Sequence, residues 1–192
     1  MYLKSIAISL VLFLVAGGGV CWGADSDFRR ARWGMTQAEV LATEDSKPVE
    51  QNTDELRYTI EILERKVDLY FTFAGNKLVG ASYKLRDNYL NSNHFIRTYN
   101  QFKAALEKKY GPPKDEKTIW SNRLYKNASI KRGLALSLGH VKYYSLWETG
   151  KTTIKCSLQQ TNYDILCLVE YDSKEYANLS KMVTAKEGLD PF

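Results

Sequence analysis

The sequence predicts an α+β protein made of two tandem units, each a helix followed by a three-strand antiparallel meander, with the helices packed on one face of the sheet or sheets. Two short segments, over residues 56–62 and 67–73, alternate between apolar and polar residues, which is the period of a half-buried strand, and four further segments between turn signals are also predicted as strands. Two helix signals each precede three of these segments. The predicted units cover residues 24–90 and 91–192, after an N-terminal segment over residues 1–23.

Residues 1–23 have the order of a secretory signal peptide. Lys4 precedes an apolar run over residues 6–16, and small residues follow it. That run is too short to span a bilayer, which needs about 20 residues. We predict cleavage after Gly23, with an uncleaved anchor and lipidation at Cys21 as alternatives. The chain is therefore expected to be exported, to the periplasm of a bacterium.

The first unit begins with a capping box, in which Thr36 is the N-cap and Glu39 reaches back to its amide. The helix is expected to end near Asp45, because Pro48 disfavours helix just before it. Three alternating strands follow, over residues 56–62, 67–73 and 78–85. Tight turns between them are predicted at Glu64 and Arg65 and at Gly75 and Asn76.

The second unit begins with a longer helix over residues 95–110, whose apolar stripe has helical spacing and is ended by Gly111. The stripe consists of Phe95, Tyr99, Phe102, Leu106 and Tyr110. A second meander is predicted over residues 141–148, 152–160 and 163–171, with its last turn at Thr161 and Asn162. A final short helix is predicted over residues 173–186.

Residues 114–140 form an insertion between the second helix and its meander. We predict a strand over residues 134–138 and a long loop elsewhere in the insertion. Long ordered loops in compact domains are often functional, so this segment is expected to face a partner.

Cys156 and Cys167 are the two cysteines beyond the signal peptide. A turn at Thr161 and Asn162 places them opposite each other on the apolar side of two strands. A structural disulfide is the favoured interpretation in an oxidising compartment. Two buried reduced thiols and a redox-active pair are the alternatives, although no Cys-x-x-Cys spacing is present to support the last one.

The composition and motifs argue against several classes of function. The net charge of +5 is mild and its basic residues are scattered, unlike the dense stripe of a nucleic-acid-binding protein. His94 and His140 are the only histidines, and no spacing typical of a zinc site or of a nucleophile elbow occurs. We therefore predict no enzymatic activity, no cofactor and no metal.

The segment Trp33-Gly34-Met35-Thr36, followed by Val40, resembles the helix start of the SmpA/OmlA (BamE-like) domain of bacterial envelope proteins. The resemblance covers mainly residues 33–85 and extends to the hairpin around Asn76. It implies helices on one face of a small antiparallel sheet, as in β-lactamase-inhibitor-like proteins, which carry tandem copies. The implied function is protein binding, in outer-membrane assembly or in inhibition of an enzyme. The chain departs from that pattern in its poor lipobox, its second unit and its long middle segment.

These observations predict a non-enzymatic protein-binding or scaffolding module of the cell envelope, which recognises another envelope protein through a strand edge or a sheet face. Aromatic residues are the expected contacts, with packing as their alternative role. The candidates are Trp120, Tyr125, Tyr144 and Trp147. The alternative function is a module that binds a lipid, glycan or peptide in a deep apolar pocket.

Overall fold

In this computed structural model, which describes residues 26–179, eight antiparallel strands form one continuous sheet. The strands are β1 (Glu50–Gln51), β2 (Glu55–Ile62), β3 (Arg65–Ala74), β4 (Lys77–Leu85), β5 (Asp115–Trp120), β6 (Val141–Glu148), β7 (Thr152–Thr161) and β8 (Asp164–Ser173). Their order across the sheet is β1-β2-β3-β4-β8-β7-β6-β5. The helices are α1 (Gln37–Thr43), α2 (Asn93–Tyr110) and α3 (Arg132–Ser137), the last preceded by a 3-10 turn (Ser129–Lys131).

The prediction of two tandem helix-plus-meander units is wrong. The meanders β2-β3-β4 and β6-β7-β8 are both present, but β4 pairs with β8 from Gly80 opposite Asp172 to Lys84 opposite Leu168. Two separate meanders would each expose the edge of a long strand, and this pairing removes both edges. In addition, β5, the 3-10 turn and α3 stand between α2 and β6, so α2 is not followed directly by three strands.

One face of the sheet carries the core and the helices. Side chains alternate along each strand, and those on this face are buried. Helix α2 packs against β7 and β8, and α3 packs against α2, β6 and β7. The buried side chains on this face include Leu56, Tyr58, Leu69, Phe71, Ala81, Ser145, Trp147, Ile154, Cys156, Leu158, Val169 and Tyr171.

The two predicted helix signals are confirmed. The side chain of Thr36 accepts a hydrogen bond from the backbone N–H of Glu39, and the Glu39 carboxylate accepts one from the backbone N–H of Thr36. Helix α2 buries four members of its predicted stripe, and its backbone closes at Gly111 with φ of 81°, a conformation that favours glycine. Those four residues are Phe95, Tyr99, Phe102 and Leu106.

The hairpin turns confirm one turn prediction and correct two. Gly75 and Asn76 form the turn between β3 and β4, with positive φ at both residues. The other two turns lie one residue from their predicted places, at Leu63 and Glu64 and at Asn162 and Tyr163. All four of these residues also have positive φ, as a type I′ hairpin requires. Because neither turn contains glycine, the local sequence did not indicate its exact position.

The strand predicted over residues 134–138 is wrong, because this segment is the helix α3. Leu134 and Leu138 are exposed while Ala135 and Leu136 are buried, so the apolar residues follow a helical rather than an alternating pattern. The predicted signal peptide lies outside the described residues. Most of the predicted C-terminal helix also lies outside them. Strand β8 continues to Ser173, and helical backbone begins at residue 177.

Candidate functional site

The four predicted contact residues do not form one surface. Trp147 is buried in the core, where its indole N–H donates a hydrogen bond to the carbonyl of Gly111 at 2.9 Å. Tyr144 precedes Ser145, which is buried on the helix-bearing face, so Tyr144 points to the opposite face of the sheet. Trp147 is therefore a packing residue, and Tyr144 remains half-buried on the open face.

Trp120 and Tyr125 both lie beside the beginning of β6, where Trp120 is opposite Val141 and Tyr125 contacts His140. Trp120 ends β5 and packs against the margin of the core. Tyr125 stacks on His140, with ring centroids 6.0 Å apart and planes 18° from parallel. The ammonium group of Lys131 lies 5.5 Å from the same Tyr125 ring. These contacts anchor the loop that follows β5 against the beginning of β6.

Strand β5 is an edge of the sheet along its whole length. It pairs with β6 on one side, from Asp115 opposite Leu146 to Trp120 opposite Val141, and ends the strand order on the other. The N–H of Ser121 donates to the carbonyl of His140 at 3.0 Å, so these two residues form a hydrogen-bonded pair. Hydrogen-bonded and non-hydrogen-bonded pairs alternate along an antiparallel ladder, so every second residue of β5 from Ser121 directs its backbone groups toward β6. Lys117 and Ile119 therefore direct their backbone groups toward β6. Glu116, Thr118 and Trp120 direct theirs away from the sheet.

The opposite edge of the sheet is smaller and partly covered. Strand β1 has two residues and pairs with Leu56 and Arg57 of β2, which leaves only the last part of β2 uncovered. Arg57 also makes ion pairs with Glu50 at 2.8 Å and with Asp68 at 3.5 Å. Of the two edges, β5 offers the longer continuous row of backbone groups.

The face of the sheet opposite the helices is polar and its charges are paired across strands. Lys155 and Glu170, which are opposite each other on β7 and β8, form an ion pair at 2.6 Å. Asp68 on β3 is 3.5 Å from Arg86 as well as from Arg57. In such cross-strand pairs, each charged side chain is neutralised by a neighbour on the same face. This face therefore resembles an ordinary solvated sheet surface.

The cysteine pair is corrected by the observed register. With the turn at Asn162 and Tyr163, Cys156 lies opposite Val169 and Cys167 lies opposite Leu158. A turn displaced by one residue shifts the pairing by two, so the cysteines are diagonal neighbours rather than direct partners. Diagonal positions are about 7–8 Å apart, beyond the usual Cα separation of a disulfide. Both thiols are buried and free in the structure.

Two clefts among the described residues lack the deep apolar character that the small-ligand alternative predicts. The larger one has a volume of about 590 Å³, opens to solvent and is lined mainly by charged side chains. Its lining consists of Asp27, Arg32, Trp33, Gly150, Lys151, Lys174 and Glu175. A module for apolar ligands is expected to have an enclosed, mostly apolar pocket instead.

Over residues 26–179, no group of three or more His, Cys, Asp or Glu side chains is placed to hold a metal ion. None of the helices in that range combines the length and the apolar character that crossing a bilayer requires.

Sequence reasoning did not identify the exposed edge of β5. Residues 115–120 were predicted as loop, although Thr118, Ile119 and Trp120 are residues that favour strands. The sequence also shows a concentration of positive charge, because residues 117–147 contain six Lys or Arg and no Asp or Glu. The interpretation of the basic residues as scattered did not take this into account.

Comparisons of the chain with protein-family models, with curated proteins and with solved structures found no match. The resemblance to the SmpA/OmlA domain therefore remains a prediction. Any functional assignment has to be argued from the geometry of the molecule.

Proposed function

We propose that this protein is a non-enzymatic binding module of the bacterial cell envelope, and that it takes up an extended segment of a partner protein as an added strand beside β5. The observation that carries the proposal is the open edge of β5, where Glu116, Thr118 and Trp120 direct their backbone groups away from the sheet. Strand addition uses such main-chain groups for affinity. The envelope location rests on the predicted signal peptide.

The side chains of β5 add selectivity to this mode of binding. Lys117 and Ile119 are exposed on the open face, next to the position that an added strand would occupy. On the helix-bearing side, Glu116 is held by Lys103 at 2.6 Å and Trp120 is half-buried. Lys117 already forms an ion pair with Asp115, so the selectivity rests on Ile119, beside which a partner segment would place an apolar residue in cross-strand contact.

The test uses a photo-crosslinking residue at position 117 of the full chain, in cells, with substitutions at Thr118. Thr118→Pro removes one outward N–H and is tolerated at an edge position. Thr118→Val keeps that N–H and serves as the matched control. Strand addition predicts one dominant crosslinked protein that the Val variant retains and the Pro variant loses.

A measurement of unfolding free energy shows whether Thr118→Pro leaves the protein folded, as the crosslinking test requires. Because Ile119 directs its N–H toward β6, Ile119→Pro should lower the free energy of unfolding by about 2–3 kcal/mol, whereas Thr118→Pro should change it much less. Equal crosslinking by the Pro and Val variants, with both folded, would exclude the edge of β5 as the binding element.

A further inference from the structure

The segment that connects β5 to β6 carries four exposed aliphatic side chains, with fractional exposures of 69%, 88%, 45% and 51%. They are Leu124, Ile130, Leu134 and Leu138, in that order. Single exposed aliphatic residues are common on protein surfaces. Four of them within fifteen residues of sequence are typical of a binding site or an interface.

Specific contacts hold this segment against the sheet and α2. The side chain of Asn93, at the start of α2, accepts a hydrogen bond from the N–H of Gly133 at 2.8 Å and donates one to the carbonyl of Ile130 at 3.3 Å. An added Cβ at Gly133 would lie 2.5 Å from the backbone N of Asn93, so this close approach requires glycine. The N–H of His140 donates to the carbonyl of Ala135 at 2.8 Å. The aliphatic side chains are therefore displayed by anchored backbone.

The same segment carries four cations, Arg123, Lys126, Lys131 and Arg132, all exposed. Across the part of the chain that the structure describes, none of the four forms an ion pair with a carboxylate. Elsewhere many cations do, as Lys114 does with Glu148 at 2.6 Å. We name these four cations and the four aliphatic residues the basic apolar end.

We infer that the basic apolar end docks this protein on the surface of an anionic lipid bilayer. The interface of such a bilayer offers anionic headgroups and an apolar interior within a few ångströms, which matches cations interleaved with exposed aliphatic side chains. The segment over residues 117–147 has six cations and no Asp or Glu, so none of its side chains would be repelled by the anionic headgroups. This inference does not depend on strand addition at β5.

The probe is a set of vesicles of phosphatidylglycerol mixed with phosphatidylcholine, and the readout is cosedimentation of the full chain. The test variant replaces Arg123, Lys126, Lys131 and Arg132 with glutamine. The control variant replaces four other exposed cations, Lys47, Lys84, Lys108 and Lys109, with glutamine, which gives the same net charge. At about fivefold per removed cation, loss of all four should lower the partition of the test variant by up to about 600-fold, and the control should lose far less.

A second pair of variants tests the aliphatic residues. Leu124→Ser with Ile130→Ser should weaken vesicle binding, whereas Val49→Ser with Leu63→Ser, which changes two exposed aliphatic residues elsewhere, should not. All variants share residues 1–23, so any contribution of that segment cancels in the comparison. Circular dichroism shows that each variant is folded.

Three results would overturn the inference. The first is equal binding by the test and control variants. The second is equal binding of the unmodified chain to vesicles of phosphatidylcholine alone. The third is no binding to either vesicle, which would leave an acidic protein surface as the occupant of the basic apolar end. Thr118→Pro should bind vesicles normally, so failure of strand addition and failure of membrane docking are distinguishable.

Discussion

At the scale of single residues, burial determines the chemistry of the two cysteines. Desolvation raises the pKa of the Cys167 thiol to about 12. Desolvation is also the main reason that the pKa of Cys156 lies well above its ordinary value, and the nearby Cys167 adds to it. A thiol reacts as its thiolate, so both residues should be inert in the folded protein.

Alkylation tests this prediction directly. We expect iodoacetamide at pH 8, without reductant, to leave Cys156 and Cys167 unmodified in the native protein and to modify both after denaturation. Mass spectrometry of peptides identifies each site, and the same chain unfolded before labelling is the control. Recovery of the two cysteines as one disulfide-linked peptide would show that the observed register does not apply to the protein in solution.

The cap of α1 is a second residue-scale feature, and it depends on pH. The backbone N–H of Thr36 donates to the Glu39 carboxylate at 2.8 Å, and this bond is the main reason that the pKa of Glu39 is lowered. A group with a lowered pKa in the folded state stabilises the protein above its unfolded pKa. That contribution is lost as the pH falls through the lower, folded pKa.

Substitutions separate the two halves of the cap. Thr36→Ala should lower the free energy of unfolding by about 1 kcal/mol at neutral pH, because the N-cap acceptor is lost. Glu39→Gln keeps a side-chain acceptor but does not titrate, so it should reduce the loss of stability below about pH 4.3. Urea denaturation at several pH values measures both effects. An acid response unchanged by Glu39→Gln would contradict the assignment.

At the scale of elements, a buried hydrogen bond ties α2 to β6. The hydroxyl groups of Tyr99 and Ser145 are 2.7 Å apart, and both residues are buried. Burial is the main reason that the pKa of Tyr99 is raised, so its hydroxyl stays protonated over the physiological range. Each hydroxyl depends on the other for a partner in the core.

A double-mutant cycle tests this dependence. Tyr99→Phe should cost about 1–3 kcal/mol of unfolding free energy, because it leaves the Ser145 hydroxyl buried without a partner. Adding Ser145→Ala to that variant should cost little more, because both polar groups are then absent. Chemical denaturation of the two single variants and the double variant measures the coupling. Additive costs would mean that the two hydroxyls do not stabilise each other.

At the scale of the whole molecule, contacts between the two halves of the chain make one core. Phe28 packs on Phe71 of the first meander, with ring centroids 5.6 Å apart, and on Tyr171 of the second, at 4.8 Å. The indole N–H of Trp33 donates to the hydroxyl of Thr152 at 2.9 Å. The β4–β8 ladder completes the connection.

We therefore predict that fragments 24–90 and 91–192 do not fold separately. Each would expose a long edge strand and half of a shared apolar surface. Amide NMR spectra of each fragment should have little dispersion, and coexpression of the two should restore the dispersed spectrum. A cooperative unfolding transition in either fragment alone would support two independent units and contradict the single core.

Local patterns in the sequence predicted much of the fold. The six meander strands, helix α2 and the capping box at Thr36 all occur near their predicted positions. Each rests on interactions within one segment, such as alternation along a strand or spacing along a helix. The candidate site was predicted less well. Trp147 is a core residue, and the exposed edge at Thr118 was not identified.

The sequence by itself determined the six meander strands, helix α2 and the cap of α1, but it did not identify strand β5 or helix α3. Only the tertiary structure decided how those segments combine. The joining of β4 to β8 and the edge position of β5 depend on the strand order across the whole sheet, and the diagonal placement of Cys156 and Cys167 depends on the register of their hairpin. A shift of one residue at the turn of Asn162 and Tyr163 changes the partner of every residue in that hairpin by two positions and leaves each side chain on its face, because the turn sets the register and side chains alternate with a period of two.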